Sequence, residues 1–295
     1  MYRVLRALAR RIRYSDRPLW VPPGHFYSPL VDPNDKHVAR ILDGFETTKL
    51  ADDESLRIDH ALILRTLERI AAYYGDLPFS DEQANGYRYH YKNGMFEYGD
   101  GIVYFGMLRD LRPKRVIEVG SGYSSCLLMD TNDTFLARKI EVTFIEPYPD
   151  VFNRLTGGDD YYRSRLISSM VQDVPTNLFQ TLESGDILFI DSSHVGKMGS
   201  DVNDYLFRIF PALQPGVIIH VHDIHYPFEY PSDWIRSENR SWNEAYLLRA
   251  FLQYNSRFQI VYFNSYVYRC HRDLLAAKMP KCLQNCGGSI WLRKT

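Results

Sequence analysis

The stretch that decides the fold reads Val116-Ile117-Glu118-Val119-Gly120-Ser121-Gly122-Tyr123-Ser124-Ser125. A β-branched run ends in two glycines, and a helix-length segment follows. Gly120 and Gly122 remove side chains where the backbone must turn sharply and approach a ligand closely. A G-x-G alone also occurs in plain tight turns, so its surroundings must carry the reading. Further short apolar runs lie at 115–119, 141–145, 165–170, 186–190 and 217–221, alternating with helix-length segments. Such runs suit strands buried on both faces and joined by right-handed β-α-β crossovers. Two more strand candidates, 258–263 and 289–292, follow, with a helix around 243–254 ahead of them. The expected fold is α/β, a doubly wound, Rossmann-like sheet of seven strands with helices on both faces.

Before the first strand the pattern is different. Residues 1–13 alternate Arg3, Arg6, Arg10, Arg11 and Arg13 with Val4, Leu5, Leu8 and Ile12, which gives a helix with one basic side. That side would suit weak contact with an anionic membrane surface, although packing on the chain itself or on a partner is the simpler use. The arginines also break any signal-peptide core. The region around 20–33 carries five prolines and glycines and should be an extended connection. Apolar positions at helical spacing predict a helix within 53–75, stopped by Gly75. Residues 1–99 are thus expected to form a helical, loop-rich N-terminal cap and substrate lid. Residues 100–295 are expected to form the domain that carries the chemistry.

Composition narrows the classes. The 295 residues hold 35 Lys plus Arg against 36 Asp plus Glu, with 45% hydrophobic and 24% charged residues. That is ordinary for a globular protein and excludes disordered and collagen-like chains. The near-zero net charge gives no reason to expect a nucleic-acid partner. No run of roughly 18 apolar residues spans a bilayer. The four cysteines include a C-x3-C pair, Cys282 and Cys286, without the second pair a zinc site would want. Free thiols in a reducing cytoplasm are the expectation, and a homo-oligomer is compatible with the pattern.

Three acids follow three successive strands. Glu118 lies inside the first strand, where a carboxylate is costly unless paired. A ligand ammonium, direct or through water, would suit it. Glu146, 24 residues after Gly122, can accept both hydroxyls of a ribose. Asp173, after the third strand, can accept from an adenine amino group. Each acid singly is compatible with a solvated strand end, and Glu146 with a near-fitting Ser125 would also suit a nicotinamide dinucleotide. A second constellation closes the fourth and fifth strands: Asp191 and His194, then His220, His222, Asp223 and His225. Two carboxylates with a histidine can hold a hard divalent ion that favours a substrate alkoxide. Alternatively His194 or His222 takes the hydroxyl proton directly. His220 sits deeper and suits a core role, and His225 suits a loop cap.

From about residue 93 onward the chain resembles the class I S-adenosylmethionine-dependent methyltransferases. The likeness rests on VIEVGSGYSS at 116–125, DILFIDSSHV at 186–195 and VHDIHYPFEYP at 221–231, the motifs of a bacterial branch, in that order. It implies an S-adenosylmethionine site lined by Glu118, Gly120, Ser121, Gly122, Tyr123, Ser124, Glu146, Pro147, Asp173 and Asp191. Catechol O-methyltransferase relatives carry a metal-binding Asp after the fourth strand, an Asp-Asn pair after the fifth, and a Lys base three residues beyond the first Asp. Asp191 and Asp223 match the two acids and His194 takes the place of the base. Ile224 stands where the Asn should be, so Mg²⁺ or another divalent ion is expected on Asp191, His222 and Asp223, with His222 as substitute. The implied activity is O-methylation of a hydroxyl on a small or sugar-containing metabolite. Two rivals stay open: a metal-dependent hydroxylase on the same fold, as in cephalosporin hydroxylases, and a non-catalytic cofactor-binding protein. Alternating Tyr87, Tyr89 and Tyr91, with Phe96 and Tyr98, share one side of an extended segment. With Tyr226, Phe228, Tyr230, Trp234 and Trp242 they either cover the transfer site or form an ordinary apolar seam. Asp100 is expected at a helix start, against cofactor or as its cap.

Overall fold

A computed structural model describes residues 19–48, 54–84, 86–157, 160–163 and 165–295. The basic stretch 1–13 lies outside the described residues. Seven strands form one sheet: β1 (Arg115–Val119), β2 (Glu141–Ile145), β3 (Leu166–Ile167), β4 (Ile187–Ile190), β5 (Ile218–Val221), β6 (Phe258–Phe263) and β7 (Ile290–Lys294). Their order is β3-β2-β1-β4-β5-β7-β6. The first five run parallel, and β7 is antiparallel to both β5 and β6. β4 and β5 are buried at every position, as apolar runs without polar alternation require. The expected third strand, 165–170, shrinks to two paired residues at the sheet edge, where only one neighbour holds it.

Register sets the site. Val119 pairs with Ile145 on one side and Ile190 on the other, and Ile190 pairs with Val221. The residues that follow, Gly120, Glu146, Asp191 and His222, therefore stand in one row along the carboxyl edge. Chain order reverses between β1 and β4, so the glycine turn lies at the topological switch point, where open α/β sheets bind ligands.

The described residues fall into two compact units, one of residues 19–47 with 231–241 and one of the described residues from 48 to 230 with 242–295. The boundary expected between residues 99 and 100 falls inside a helix, so it does not divide the molecule. In the smaller unit, α1 (Lys36–Gly44) is capped by Asp35, whose carboxylate accepts from the His37 and Val38 amides. Arg236 reaches Asp43 at 2.6 Å. The proline-rich segment 20–33 forms bends and turns with exposed Trp20, Phe26 and Tyr27, where Tyr27 stacks on Trp20 at 5.2 Å and lies tilted against Phe26 at 4.1 Å.

In the larger unit, α2 (His60–Ala71) is shorter than the predicted helix. Asp59 caps it by accepting from Leu62 N–H, and it ends before Gly75, which lies in a separate 3₁₀ turn. α3 (Tyr98–Leu111) is buried from residue 98 through 108. Gly106 lets α3 close on α2, because a Cβ there would lie 2.7 Å from the Cβ of Ile70. α4 (Tyr123–Phe135) follows the glycine turn, α5 (Glu244–Leu252) precedes β6, and α6 (Asn264–Cys270) follows it. Among the described residues no helix is long and apolar enough to cross a membrane.

Candidate active site

Two groups of side chains face the carboxyl edge. The first surrounds the glycine turn. Gly120 has φ +83°, and a Cβ there would clash with the carbonyl oxygen of Asp191. Only glycine satisfies both conditions. Gly122 differs from the expectation. Its φ of −167° is open to any residue, and a Cβ there would meet nothing within 4 Å. Glu146 folds back over the turn, accepting from Ser121 N–H at 3.1 Å and Tyr148 N–H at 2.7 Å.

Glu118 is fully buried, and its Oε1 accepts from the Ser124 and Ser125 hydroxyls at 2.6 and 2.8 Å. Its Oε2 and the Ser121 hydroxyl are buried without a hydrogen-bond partner among the described residues. Burial pushes the Glu118 carboxyl up to about 8, against the pull of the two serines. Pro147 is half-buried beside Glu146. Tyr123 meets the ring of His90 edge-on at 5.3 Å. Asp173 ends a 3₁₀ turn (Val171–Asp173) beyond β3 and is exposed.

The second group lies on the β4 and β5 ends. Nε2 of His194 is 3.4 Å from Asp191 Oδ1 and 3.5 Å from Asp223 Oδ2. One ligand atom from each of these residues lies within 4.8 Å of the others. The expected metal set was Asp191, His222 and Asp223. The geometry gathers Asp191, His194 and Asp223 instead. The ring of His222 points toward Ser289, with Nδ1 3.4 Å from its Oγ, leaving Nε2 3.5 Å from Asp223 Oδ1. The chain reaches this arrangement through left-handed backbone at two non-glycine residues, His194 (φ +60°) and Asp223 (φ +57°), strain of the kind that collects at functional sites.

Neither histidine stands as a free base in this site. His194 Nδ1 is 2.7 Å from the buried Glu244 Oε2. Against the cost of burial, Glu244, then Asp191 and Asp223, raise the His194 pKa well above its ordinary value. For His222, burial is likewise outweighed by Asp223 and then Asp191, which lift it to about 9. Asp191 is held below the usual carboxylate range: burial pushes it up, and the charges of His222 and His194 more than reverse that. It is also the most open of the three, its side chain a third exposed.

Behind this edge lies one residue whose sequence context gave no signal, with three that the sequence singled out. Ser289, just before β7, donates to Asp100 and sits 2.8 Å from His220 Nε2. Asp100 lies within the first turn of α3, not ahead of it, and also accepts from Gly288 N–H and Asn264 Nδ2. His220 is a core residue, stacked on Phe189 at 3.8 Å, and burial drives its pKa well below the ordinary value. His225 is half-buried, and loss of solvent around its ring lowers it to about 3, so it is neutral near pH 7.

The tyrosine alternation is real but serves packing. Tyr87, Tyr89 and Tyr91 all present edges to Phe79, and the last two are fully buried. The aromatic rings beside site histidines are Trp242, 4.3 Å from His194, and Phe96, 5.2 Å from His222.

Known proteins carry the same pattern. Residues 117–224 match the family model described as a methyltransferase domain, a span that runs from β1 through Glu146, Asp173, Asp191 and His194 to Asp223. A protein of Archaeoglobus fulgidus, described as uncharacterized, is 41% identical over 171 residues, 56% of this chain and 75% of its own length. Among solved structures the chain is similar to the Podospora anserina methyltransferase PaMTH1 bound to S-adenosylhomocysteine (16% identity, TM-score 0.43, covering 90% of this chain and 98% of that one). It is also similar to the O-methyltransferase TomG of Streptomyces achromogenes, involved in tomaymycin synthesis, in complex with S-adenosylmethionine (14% identity, TM-score 0.39, 87% and 96%). The family match thus lays a methyltransferase domain over residues 117–224, from the glycine turn to the β5 end of the seven-stranded sheet.

Proposed function

We propose that this enzyme methylates a hydroxyl of a small or sugar-containing metabolite, with the acceptor held at Asp191, His194 and Asp223. The observation that carries the reading is the convergence of those three donors at the β4 and β5 ends, adjoining the glycine turn.

On the cofactor side, the turn at Gly120, Ser121 and Gly122 lets a methionine moiety approach bare backbone. The buried, unpartnered Glu118 Oε2 and Ser121 Oγ are atoms that call for a polar ligand. Glu146 keeps lone pairs free for ribose hydroxyls after accepting from two amides. Asp173 takes the adenine amine, and Tyr123, Ser124 and Pro147 complete the wall.

On the acceptor side, two carboxylates and an imidazole make a donor set for a hard or borderline divalent ion. Such an ion, when bound, supplies a Lewis acid that lowers the pKa of a substrate hydroxyl. The chain's own residues orient: Asp191 is the open member, Asp223 is backed by His222, and Trp242 covers His194. Methyl transfer then needs only in-line placement of the oxygen against the sulfonium carbon.

The test is methyl transfer from labelled S-adenosylmethionine to a panel of vicinal diols and glycosides, with and without chelator. The expected result is turnover that EDTA abolishes and Mg²⁺ or Mn²⁺ restores. Undiminished turnover in chelated enzyme would overturn the acceptor-side reading. Failure to bind S-adenosylhomocysteine would overturn the cofactor-side reading.

A further inference from the structure

Behind His194 lies a layer of groups that neither the motifs nor the family match assigns. Glu244, at the start of α5, is completely buried. Its Oε2 lies 2.7 Å from His194 Nδ1, and its Oε1 accepts from the Tyr205 hydroxyl. The link is reinforced through the main chain, because the carbonyl of His194 accepts from the N–H groups of both Asn243 and Glu244 at 3.2 Å. Two residues on, Gly196 N–H donates to Asn243 Oδ1 at 2.6 Å, and Asn243 Nδ2 donates back to the Gly196 carbonyl at 3.1 Å. A Cβ on Gly196 would collide with Leu247 of the same helix, so the loop is seated directly on α5. Tyr205 opens a π-helical turn (Tyr205–Ile209), a local irregularity that often marks functional positions.

A buried carboxylate beside an imidazole is expensive unless it does something the fold needs. Packing alone does not need it, since an apolar residue would fill the space beside Tyr205 at lower cost. What a carboxylate on Nδ1 does is fix the imidazole: the Nδ1–H donates to it, and Nε2 is presented outward as the ligand atom. Here Nε2 is the atom that faces Asp191 and Asp223.

We infer that Glu244, steadied by Tyr205, is a positioning residue that locks the His194 ring with Nε2 as the third metal-ligating atom of the site. This rests on the acceptor-side reading given above. It makes the site four elements deep: the β4 end, the β5 end, the start of α5 and the π turn.

The experiment is a Mn²⁺ titration of the purified full-length protein, followed by electron paramagnetic resonance, for wild type, Glu244→Ala, Glu244→Gln, Tyr205→Phe and His194→Ala. S-adenosylhomocysteine affinity is measured in parallel. Glu244→Ala should weaken Mn²⁺ about 10- to 100-fold. Glu244→Gln, which keeps an acceptor for Nδ1–H, should recover part of that loss. Tyr205→Phe should cost a few-fold, and S-adenosylhomocysteine affinity should stay within about twofold throughout. A merely structural role would move both ligands together and would give no rescue by Gln. Should Glu244→Ala fail to fold, Glu244→Gln and Tyr205→Phe carry the same test with folded protein. Wild-type Mn²⁺ affinity in every folded Glu244 and Tyr205 variant, with His194→Ala impaired, overturns the positioning role and leaves the metal site standing. No Mn²⁺ binding in wild type, or unimpaired binding in His194→Ala, removes the metal reading itself and this inference with it.

Discussion

The two halves of the carboxyl edge are built on different principles. At the β1–β2 side, shape comes from backbone. Gly120 passes beneath the Asp191 carbonyl, and amides of Ser121 and Tyr148 hold Glu146. At the β4–β5 side, shape comes from side chains reaching over long sequence distances, His194 to Glu244 and His222 to Ser289. Under the proposed function the backbone side would bind the cofactor and depend on few identities. The side-chain side would set what is done with it, through residues tied to distant partners.

The largest effect that would break this contrast concerns the two glycines. Gly120→Ala must overcome both a positive φ and a clash with backbone that cannot move aside. A loss of about 3 kcal/mol or more is expected, together with loss of S-adenosylhomocysteine binding. Gly122→Ala should change stability by less than about 0.5 kcal/mol, because its Cβ meets open space and its φ is permissive. Paired thermal melts and calorimetry decide it. Equal destabilisation by the two substitutions would mean the turn is not shaped by Gly120 alone.

On the other side, Asp223→Asn keeps volume while removing one charge of the donor set. Turnover should fall at least about 100-fold, with S-adenosylhomocysteine affinity nearly unchanged. A substitution that spares turnover, measured under saturating cofactor, would take Asp223 out of the acceptor site.

These expectations show which parts were legible beforehand. The parallel strands were readable because most of their positions are buried and apolar, a local property, and the half-buried edge strand β3 is the one that shrank. The row of Gly120, Glu146 and Asp191 was readable because each follows its strand directly. The choice of His194 over His222 for the donor set was not, since it turns on a left-handed φ at residues 194 and 223 and on which ring finds a buried partner. Glu244 was invisible for another reason: an acid in the first turn of a helix is what helix electrostatics favours anyway. The tyrosine alternation predicted a shared face correctly but not what that face meets, because Phe79 approaches from outside the segment. The boundary expected after residue 99 lies within α3, where Gly99, Gly101 and Gly106 each pack against a different neighbour, Cys286, Tyr89 and Ile70.

A third test separates the halves by pH. Burial raises Glu118 from its ordinary 4.5 to about 8. Across that interval the folded protein keeps a proton the unfolded chain has released. The stabilisation is therefore complete below pH 4.5 and is lost as pH climbs toward 8, at a slope approaching about 1.4 kcal/mol per pH unit. In Glu118→Gln this contribution disappears, so the wild-type stability curve should fall more steeply than the variant's between pH 5 and 7.5. Denaturant titrations at fixed ionic strength measure the difference. Parallel curves would show that Glu118 is already ionised in the folded chain.

The smallest effect concerns Asp173, the outermost of the residues proposed for the cofactor side. It is exposed on a 3₁₀ turn, so removing its carboxylate leaves no buried group unpaired and stability should move by less than about 0.5 kcal/mol. If it accepts from the adenine amine, that hydrogen bond is made equally in ground and transition states. Uniform binding of this kind affects KM and leaves kcat alone. Asp173→Ala should then raise KM for S-adenosylmethionine about 5- to 10-fold, the value of one ordinary hydrogen bond at an exposed site, with kcat unchanged. An unchanged KM would confine adenine recognition to the backbone and apolar walls, and the backbone side of the edge would then do its work without any acid beyond Glu146. A fall in kcat instead would mean that the turn after β3 helps place the sulfonium, and the division between a binding half and a reacting half would no longer hold.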